Sequence, residues 1–238
     1  MIMIYKLSEL FNLNKEVFVS AFTKIPNDCT FLDLSYNGLY NKRNTELKAA
    51  FKNIPRSVTS LDLSSNDFFQ KKGTDLAAVL KRIPQHINSL DLSFNYLGAE
   101  KKDEDLVTIF TAIPNHIITL GLSWNNLSHK SGDVLTRAFA AIPQSITELN
   151  LSHNALNKMQ DSELIQLFAS ISRTVTHLDL SFNHLNNHSK EALTKAFATL
   201  PLHLSSLLLH GNGFNQYKKA ELVSLLGPIP LNICLGLH

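Results

Sequence analysis

Apolar residues in this chain follow two spacings in turn, and this pair of spacings recurs along the sequence. Residues 60–64 read Ser-Leu-Asp-Leu-Ser, in which polar and apolar positions alternate as in a strand with one buried face. Leu76, Leu80 and Ile83 then follow at intervals of four and three, which is the spacing of a helix with one buried side. Pro84 ends that helix and returns the chain to an extended conformation. The pattern therefore predicts one strand followed by one helix.

The string Leu-x-Leu-Ser-x-Asn marks the end of each predicted strand. It occurs six times, and a seventh copy, Leu207 to Asn212, has His210 in place of serine. Its asparagines are separated by 29 residues except for one interval of 30, between Asn95 and Asn125. Repetition at a fixed period indicates a stack of similar units. The repeated asparagines are Asn37, Asn66, Asn95, Asn125, Asn154, Asn183 and Asn212.

Repetition of this unit predicts an α/β fold in the form of a right-handed solenoid, or horseshoe. Successive strands lie parallel on the concave face, and the helices cover the convex face. Each asparagine follows a strand, where its side chain can bond backbone groups of the neighbouring turn. We therefore expect the seven asparagines to form a structural ladder that satisfies buried amides.

The pattern Leu-x-x-Leu-x-Leu-x-x-Asn-x-Leu with a helical second half resembles the leucine-rich repeat of the ribonuclease-inhibitor-like class. The resemblance extends over about residues 3–237 and implies a single leucine-rich-repeat domain. Residues 1–28 are predicted to form a degenerate N-terminal capping repeat, 29–229 seven repeats of about 29 residues, and 230–238 a C-terminal cap. Ile233, Leu235 and Leu237 are predicted to form a short strand within that last cap.

Composition and charge exclude several classes of protein. The chain has 238 residues, of which 44% are hydrophobic, and 22 basic residues against 20 acidic ones give a formal net charge of +2. A disordered chain has fewer apolar residues, and a nucleic-acid-binding protein has a basic field that is absent here. No apolar run reaches the roughly 18 residues of a membrane helix, and the N-terminus does not have the pattern of a secretion signal.

Recognised catalytic and cofactor motifs are absent from the sequence. It contains no phosphate-binding loop, no His-Glu-x-x-His and no complete Gly-x-Ser-x-Gly. His86 and His116 occupy matching places in adjacent repeats, but two histidines without a carboxylate or thiol make a weak metal site. We therefore expect no metal, no cofactor and no enzymatic activity. The alternative, an enzyme within the repeats, requires a nucleophile and a base within hydrogen-bonding distance.

Two columns of side chains are predicted on the concave face. The residue between the two strand leucines is acidic in four repeats, and the residue before the ladder asparagine is aromatic or histidine in five. The acidic side chains either bind a basic partner or only form hydrogen bonds with neighbouring serines. The aromatic side chains either contact a partner or pack flat on one another. The predicted partner-binding residues are Phe31, Asp33, Tyr36, Asp62, Asp91, Phe94, Trp124, Glu148, Asn150, His153, His177, Asp179 and Phe182.

A stripe of basic residues lies between the strand and the helix of every repeat. Lysine at the start of a helix opposes the helix dipole, so helix stability does not explain the stripe. It is either a solvated ridge or an edge that binds anionic membranes or nucleic acid, although neither partner is favoured by the net charge. The stripe contains Lys42, Arg43, Lys71, Lys72, Lys101, Lys102, Lys130, Lys158, Lys190, Lys218 and Lys219.

These observations favour a non-catalytic protein–protein interaction module. The sequence pattern Ile-Pro-x-x-Val-Thr-Ser-Leu-Asp-Leu-Ser-x-Asn occurs at Ile54 to Asn66. It is similar to the repeats of leucine-rich-repeat effectors that intracellular bacteria such as Legionella inject into host cells. That resemblance implies a protein that leaves the bacterial cytoplasm for the host cytoplasm and binds a host eukaryotic protein there. We separately expect the chain to be a monomer. The alternative function is a binder of anionic membrane or nucleic-acid surfaces that uses the lysine edge.

Overall fold

The structure is a computed structural model that describes residues 2–227 and 229–235. Within these residues, nine parallel strands form one sheet in sequence order. They are β1 (Ile4–Lys6), β2 (Phe31–Asp33), β3 (Ser60–Asp62), β4 (Ser89–Asp91), β5 (Thr119–Gly121), β6 (Glu148–Asn150), β7 (His177–Asp179), β8 (Ser206–Leu208) and β9 (Cys234–Leu235). The alternating strand–helix solenoid predicted from the repeat is thereby confirmed.

Helices connect the strands on the other face, and each main helix packs on the main helix of the next repeat. The helices are α1 (Lys15–Phe22), α2 (Asn44–Phe51), α3 (Gly73–Leu80), α4 (Leu97–Glu100), α5 (Asp103–Thr111), α6 (Gly132–Ala140), α7 (Asp161–Ser170), α8 (Lys190–Thr199) and α9 (Lys219–Leu226). A 3₁₀ turn follows most ladder asparagines, at Leu39–Asn41, Phe68–Gln70, Leu127–His129, Leu156–Lys158, Leu185–Asn187, Phe214–Gln216, and again at Leu231–Ile233 before β9.

The single extra residue of the repeat pattern is absorbed at α4. Phe68–Gln70 forms a 3₁₀ turn in the repeat before it, whereas Leu97–Glu100 forms one turn of α-helix. The longer turn uses one more residue, and the main helix α5 then begins at Asp103. The insertion therefore lies between strand and helix, and the strands remain in register on both sides.

The core lies between sheet and helices, as the two hydrophobic spacings predict. Leu61 and Leu63 point inward from β3 and its continuation, and Leu76 and Leu80 point inward from α3; all four are buried. In register, Leu61 pairs with Leu32 and Leu90, so one leucine column runs through the sheet. Phenylalanines at the matching helix position meet edge to face, for example Phe110 with Phe139 at 5.7 Å between ring centroids. Burial of these columns in every repeat holds the stack together.

The asparagines form a buried ladder at the point where each strand ends. The Oδ1 atom of Asn125 accepts hydrogen bonds from the backbone N–H of Asn95 and of Leu97, both at 3.2 Å. Its Nδ2 donates to the carbonyl of Leu92 at 3.0 Å and to that of Ser123 at 3.2 Å. Equivalent bonds link each ladder asparagine to its neighbours, so one amide satisfies backbone groups in two adjacent repeats.

The two ends of the sheet differ in how they follow the repeat. At the N-terminal end, β1 places Tyr5 opposite Leu32, and the backbone N–H of Leu10 donates to the Oδ1 of Asn37. At the other end, Cys234 lies opposite Leu207 in β9. Ile233 belongs to the preceding 3₁₀ turn, so its prediction as a strand residue is wrong. Leu237 lies outside the described residues.

Candidate functional site: an acidic groove with an aromatic rim

The first and third residues of each strand point to the concave face because the inward-facing leucine lies between them. Together they line a groove of about 340 Å³ that crosses most of the sheet. Its floor consists of the strand backbones, and its walls contain small hydroxyl residues and acids together with Phe31, Gly121, Asn150, His177 and Leu208. Hereafter this surface is the acidic groove; the predicted site residues that line it are Phe31, Asp62, Asp91, Glu148, Asn150, His177 and Asp179.

The aspartates of the groove have a structural role in addition to their charge. One carboxylate oxygen of Asp62 accepts a 2.8 Å hydrogen bond from the backbone N–H of Ser64, two residues later. Asp33, Asp91 and Asp179 make the same bond, and the amide oxygen of Asn150 makes it at 2.9 Å. The bonding to serine suggested by the sequence therefore occurs, mainly through the serine backbone. It fixes the turn out of each strand and, at Asp62, Asp91 and Asp179, leaves the second carboxylate oxygen without a hydrogen bond among the described residues.

Two of these carboxylates have opposite pKa shifts. Burial raises the pKa of Asp62, and the charges of Asp91 and Asp33 add to this, while bonds from Ser64 oppose it. At Asp33 burial also acts upward, but hydrogen bonds from Ser35 and from Lys6 outweigh it and lower the pKa. The Lys6 Nζ lies 3.0 Å from the Asp33 Oδ2. Within the described residues, Asp62, Asp91 and Asp179 have no such ion pair, so the middle of the groove carries uncompensated negative charge.

Gly121 interrupts the acidic column and gives Asp91 more room. A Cβ at this position would lie 2.5 Å from the Oδ1 of Asp91, so a side chain here would require the Asp91 carboxylate to shift. Asp91 therefore leans into the space that a side chain in β5 would occupy. Beside this glycine, Glu148 in β6 accepts a 3.0 Å hydrogen bond from the hydroxyl of Thr119 in β5. The sequence alone showed the glycine but not this contact.

The residues before the ladder asparagines form an aromatic rim along one edge of the groove. Its members have a left-handed backbone with φ between 54° and 57°. Their backbone N–H groups are fixed by the next repeat, as in the 3.2 Å hydrogen bond from Trp124 to the carbonyl of Ser152. One backbone conformation repeated at the strand spacing places the side chains in register. The aromatic rim consists of Tyr36, Phe94, Trp124, His153 and Phe182.

Four consecutive rings of the rim stack face to face. Ring centroids are 4.9 Å apart between Phe94 and Trp124, 4.2 Å between Trp124 and His153, and 4.4 Å between His153 and Phe182. These distances follow the separation of about 4.8 Å between strands, so the sheet sets the stack. The rings thus pack flat on one another, yet Trp124 and Phe182 remain 42% and 46% exposed through their edges.

The stack is closed at one end, and it contains a histidine whose pKa is lowered. Burial lowers the pKa of His153, and the nearby charge of Asp179 offsets this only in part. At the closed end, the ring of Phe182 fills the place where a Cβ of Gly211 would lie, 2.3 Å from its Cδ1 atom. Because Gly211 has no side chain, the outer face of Phe182 rests on backbone. Only the Phe94 end of the stack remains open.

A second cavity, of about 420 Å³, opens beside that free end. Sequence reasoning missed half of its lining, because it considered only the residue before each ladder asparagine. The residue after that asparagine is left-handed as well, for example Asp67 with φ 55° and Tyr96 with φ 53°. Both side chains therefore project beside the rim. The cavity is lined by Tyr36, Gly38, Ser65, Asp67, Phe94 and Tyr96.

Comparison with known proteins agrees with this architecture. The profile of the family described as Leucine Rich repeat matches residues 55–73, 143–158 and 172–188. The crystal structure of the leucine-rich repeat-containing protein LegL7 from Legionella pneumophila is similar with a TM-score of 0.88 and 40% sequence identity, over 99% of this chain and 74% of that chain. The chain belongs to the leucine-rich-repeat proteins. The resemblance to Legionella proteins of this family, predicted from the sequence pattern of the repeat, is confirmed.

Two other solved structures are less similar to this chain. The tropomodulin C-terminal domain of Caenorhabditis elegans has 11% identity and a TM-score of 0.36, over 79% of this chain and 92% of that chain. A chain of the yeast Rad7 and Elc1 complex has 12% identity and a TM-score of 0.46, over 98% and 67%. These two likenesses carry no argument about function. Comparison with curated protein sequences gives no match. Leucine-rich-repeat domains typically bind protein partners and are generally non-catalytic.

Four of the eleven residues in the basic stripe of this leucine-rich-repeat domain are held within the stack of repeats, and the other seven are exposed. Lys42, Lys71 and Lys101 are buried, and burial lowers the pKa of each. The Nζ of Lys71 donates to the carbonyls of Lys42 at 2.7 Å and of Tyr40 at 3.3 Å. The Nζ of Lys130 likewise donates to the carbonyl of Lys101. These amines join successive repeats and are unavailable to a phosphate surface.

His188 takes the place of lysine in a later repeat. Its Nε2 lies 3.0 Å from the carbonyl of Leu156, and its Nδ1 lies 2.8 Å from a carboxylate oxygen of Asp161. Both partners are hydrogen-bond acceptors, so the ring bridges Leu156 and Asp161 of the preceding repeat. Lys130 has the same relation to Asp103, with 3.1 Å between Nζ and Oδ1. At this position, Lys130 and His188 therefore each link their repeat to an acid of the preceding repeat.

Two further properties concern possible ligands and surroundings. Within the described residues, no group of three or more histidine, cysteine or acidic side chains is arranged to hold a metal ion. Among those same residues, no helix has both the length and the apolar character needed to cross a membrane. His86 and His116, considered above as a weak metal pair, each keep a buried Nε2 without a hydrogen-bonding partner in the described structure.

Proposed function

We propose that this chain is a non-catalytic protein-interaction module that presents the acidic groove and the aromatic rim to a protein partner. The observation that carries the proposal is the stack of Phe94, Trp124, His153 and Phe182. Aromatic residues are frequent anchors of protein interfaces. Here the rings hold one another in place while their edges stay exposed, so little side-chain entropy is lost when a partner binds.

We further propose that the partner is a host eukaryotic protein, bound by a monomer of this chain after transfer from the bacterial to the host cytoplasm. Two observations support this part. The chain is 40% identical to a Legionella protein over nearly its whole length, and its repeat wording is similar to that of injected effectors. We assign that contact to the partner-binding residues predicted from the sequence.

The alternative use of a lysine edge on membranes or nucleic acid receives less support. Arg43, Lys72 and Lys102 are exposed, but the neighbouring Lys42, Lys71 and Lys101 are buried. Acids alternate with the exposed cations, as in the ion pair between Arg43 and Glu46 at 2.8 Å. The remaining charge is too interrupted to attract a polyanion strongly.

An affinity comparison in eukaryotic cell lysate tests the proposed function. The baits are the parent chain, a Trp124→Ala/Phe182→Ala variant, and a Leu202→Ala/Val223→Ala control that removes two exposed apolar residues outside the groove and rim. Alanine is acceptable in the rim backbone, since Ala155 has φ 54°. Circular dichroism confirms that all three baits are folded before use.

We expect mass spectrometry to identify a host protein that the parent and the control retain and that the rim variant loses. Purified, this protein should bind the parent with at least tenfold higher affinity than the rim variant, because two anchors are removed. Equal retention of every captured protein by all three baits would contradict the proposed use of the rim.

A further inference from the structure

The ring stack lacks one member at Ser65. Positions 36, 65, 94 and 124 are consecutive in the rim, but Ser65 carries a hydroxymethyl group where its neighbours carry rings. Two strand spacings of about 4.8 Å place the positions of Tyr36 and Phe94 about 9.6 Å apart. A planar group halfway between them would lie about 4.8 Å from each, which is the separation at which this stack already packs its rings.

The gap is accessible and both of its walls are available. Tyr36 is 76% exposed, and Phe94 uses only one face, toward Trp124 at 4.9 Å. The cavity of about 420 Å³ over Ser65 lies between these residues. Hereafter this cavity is the Ser65 slot. Since Gly211 closes the opposite end, the slot is the place where the stack can accept another flat group.

The remaining lining of the slot has a negative electrostatic character. Asp67 is half-buried beside it and, within the described residues, its carboxylate has neither a hydrogen bond nor an ion pair. Tyr96 adds a third ring, held edge to face by Phe69 at 5.8 Å between centroids. Ring faces and a free carboxylate both attract a cation, and both disfavour an anion.

We infer that the Ser65 slot binds the guanidinium group of an arginine side chain from the protein partner. The inference rests on the proposed function, since the arginine belongs to that partner. A guanidinium is flat enough to continue the stack between Tyr36 and Phe94, and its edge carries N–H donors for the carboxylate of Asp67. The acidic groove, with its unpaired Asp62 and Asp91, continues the negative potential toward the chain that carries this arginine.

Other groups match the slot less well. A neutral aromatic side chain would stack but would leave the Asp67 carboxylate without a partner in a shielded place. A methylated lysine would satisfy the rings, as in aromatic cages, but it is not flat and offers few or no donors to the carboxylate. An unmodified lysine amine is compact and strongly hydrated, and it cannot stack. Only the guanidinium uses both features of the slot.

The inference is tested with the full chain and N-acetyl-arginine amide as the probe. Chemical shifts of the ¹⁵N-labelled protein are followed by NMR during titration, with N-acetyl-citrulline amide as an uncharged isostere and N-acetyl-trimethyllysine amide as an alternative cation. We expect saturable shifts at the amides of Ser65 and Asp67 with the arginine probe and at least fivefold weaker effects with the other two.

Two variants locate the site. Ser65→Phe supplies the missing ring, and the backbone permits it because Phe94 and Phe182 have nearly the same φ as Ser65. We expect it to fold, to be at least as stable as the parent, and to lose binding of the arginine probe. Leu202→Ala, at an exposed position outside the groove and the rim, should bind the probe within twofold of the parent.

Equal shifts with the citrulline probe, preference for trimethyllysine, or undiminished binding by Ser65→Phe would each overturn the inference. Failure here is distinguishable from failure of the proposed function, because the lysate comparison depends on Trp124 and Phe182 rather than on the slot. A host protein lost by the rim variant in that comparison, together with no arginine binding, would retain the proposed function and reject the slot.

Discussion

Replacement of Asn125 by alanine provides a quantitative test of the asparagine ladder. The substitution removes four hydrogen bonds at once, two accepted by the amide oxygen and two donated by the amide nitrogen. Asn125 is buried in the middle of the stack, so water cannot replace the lost partners without opening the repeat. The cost therefore depends on which of the four backbone groups retain another partner.

The two carbonyl groups remain bonded after the substitution. The carbonyl of Leu92 still accepts from the Nδ2 of Asn95 at 3.0 Å, and that of Ser123 still accepts from the backbone N–H of Phe94 at 3.0 Å. The backbone N–H groups of Asn95 and Leu97 instead lose their acceptor. A buried donor left unpaired costs about 1–3 kcal/mol, so we expect the free energy of unfolding to fall by about 2–6 kcal/mol. This is a large part of the roughly 5–15 kcal/mol typical of a domain.

Urea unfolding followed by circular dichroism at 25 °C measures this loss, with Asn126→Ala as the matched control. Asn126 is the next residue, and its side chain makes no hydrogen bond within the described part of the chain. Its backbone, at φ 52°, is the conformation that Ala155 adopts in the following repeat. Alanine is less tolerant of this conformation than asparagine, so we expect the control to cost up to about 1 kcal/mol. Equal losses for the two variants would refute the ladder as a source of stability.

Substitutions at three further positions test the groove, the contacts of His188 and the core. Asp62→Asn should raise the free energy of unfolding at pH 7 by about 0.5–1 kcal/mol, because the raised pKa of Asp62 means that its ionisation opposes folding. The asparagine should keep the bond to the turn, since Asn150 already makes the equivalent one. The gain should disappear in urea titrations below about pH 4, where Asp62 is protonated in both the folded and the unfolded chain. His188→Lys should stay within about 1 kcal/mol of the parent in urea titrations, because lysine makes equivalent contacts at Lys130. His188→Leu should cost about 1–3 kcal/mol, because it leaves the Leu156 carbonyl and the Asp161 carboxylate without their shared partner; equal effects of the two variants would contradict this bridging role. Leu122→Asp should abolish the cooperative thermal transition, because it places an unpaired charge at a fully buried position; a melting curve like that of the parent would mean that this strand faces the other way.

Hydrogen bonds account for several corrections to the sequence analysis. Lys71 looked like a surface cation from its position in the sequence, but its amine reaches two carbonyls of the preceding repeat. A long side chain hides its direction from a pattern of residue types, and only the packing of one repeat on the next shows whether its end is buried. The same limit applies to Asp62, because only the structure shows that its carboxylate accepts a hydrogen bond from the Ser64 backbone while adding negative charge to the groove.

The fold follows from the sequence, because a strand spacing, a helix spacing and an asparagine recur together and each unit can bury its apolar side only against the next. Strand alternation also predicts that the acidic column points away from the core, whereas the rim column was identified only by its composition. What those two columns can do depends on the tertiary structure. Whether Phe94, Trp124 and His153 expose their faces or stack depends on the strand spacing and on one repeated left-handed backbone. Contacts between residues about 29 positions apart arise only when the repeats are stacked, and the acidic groove, the ring stack and the slot over Ser65 are all made of such contacts.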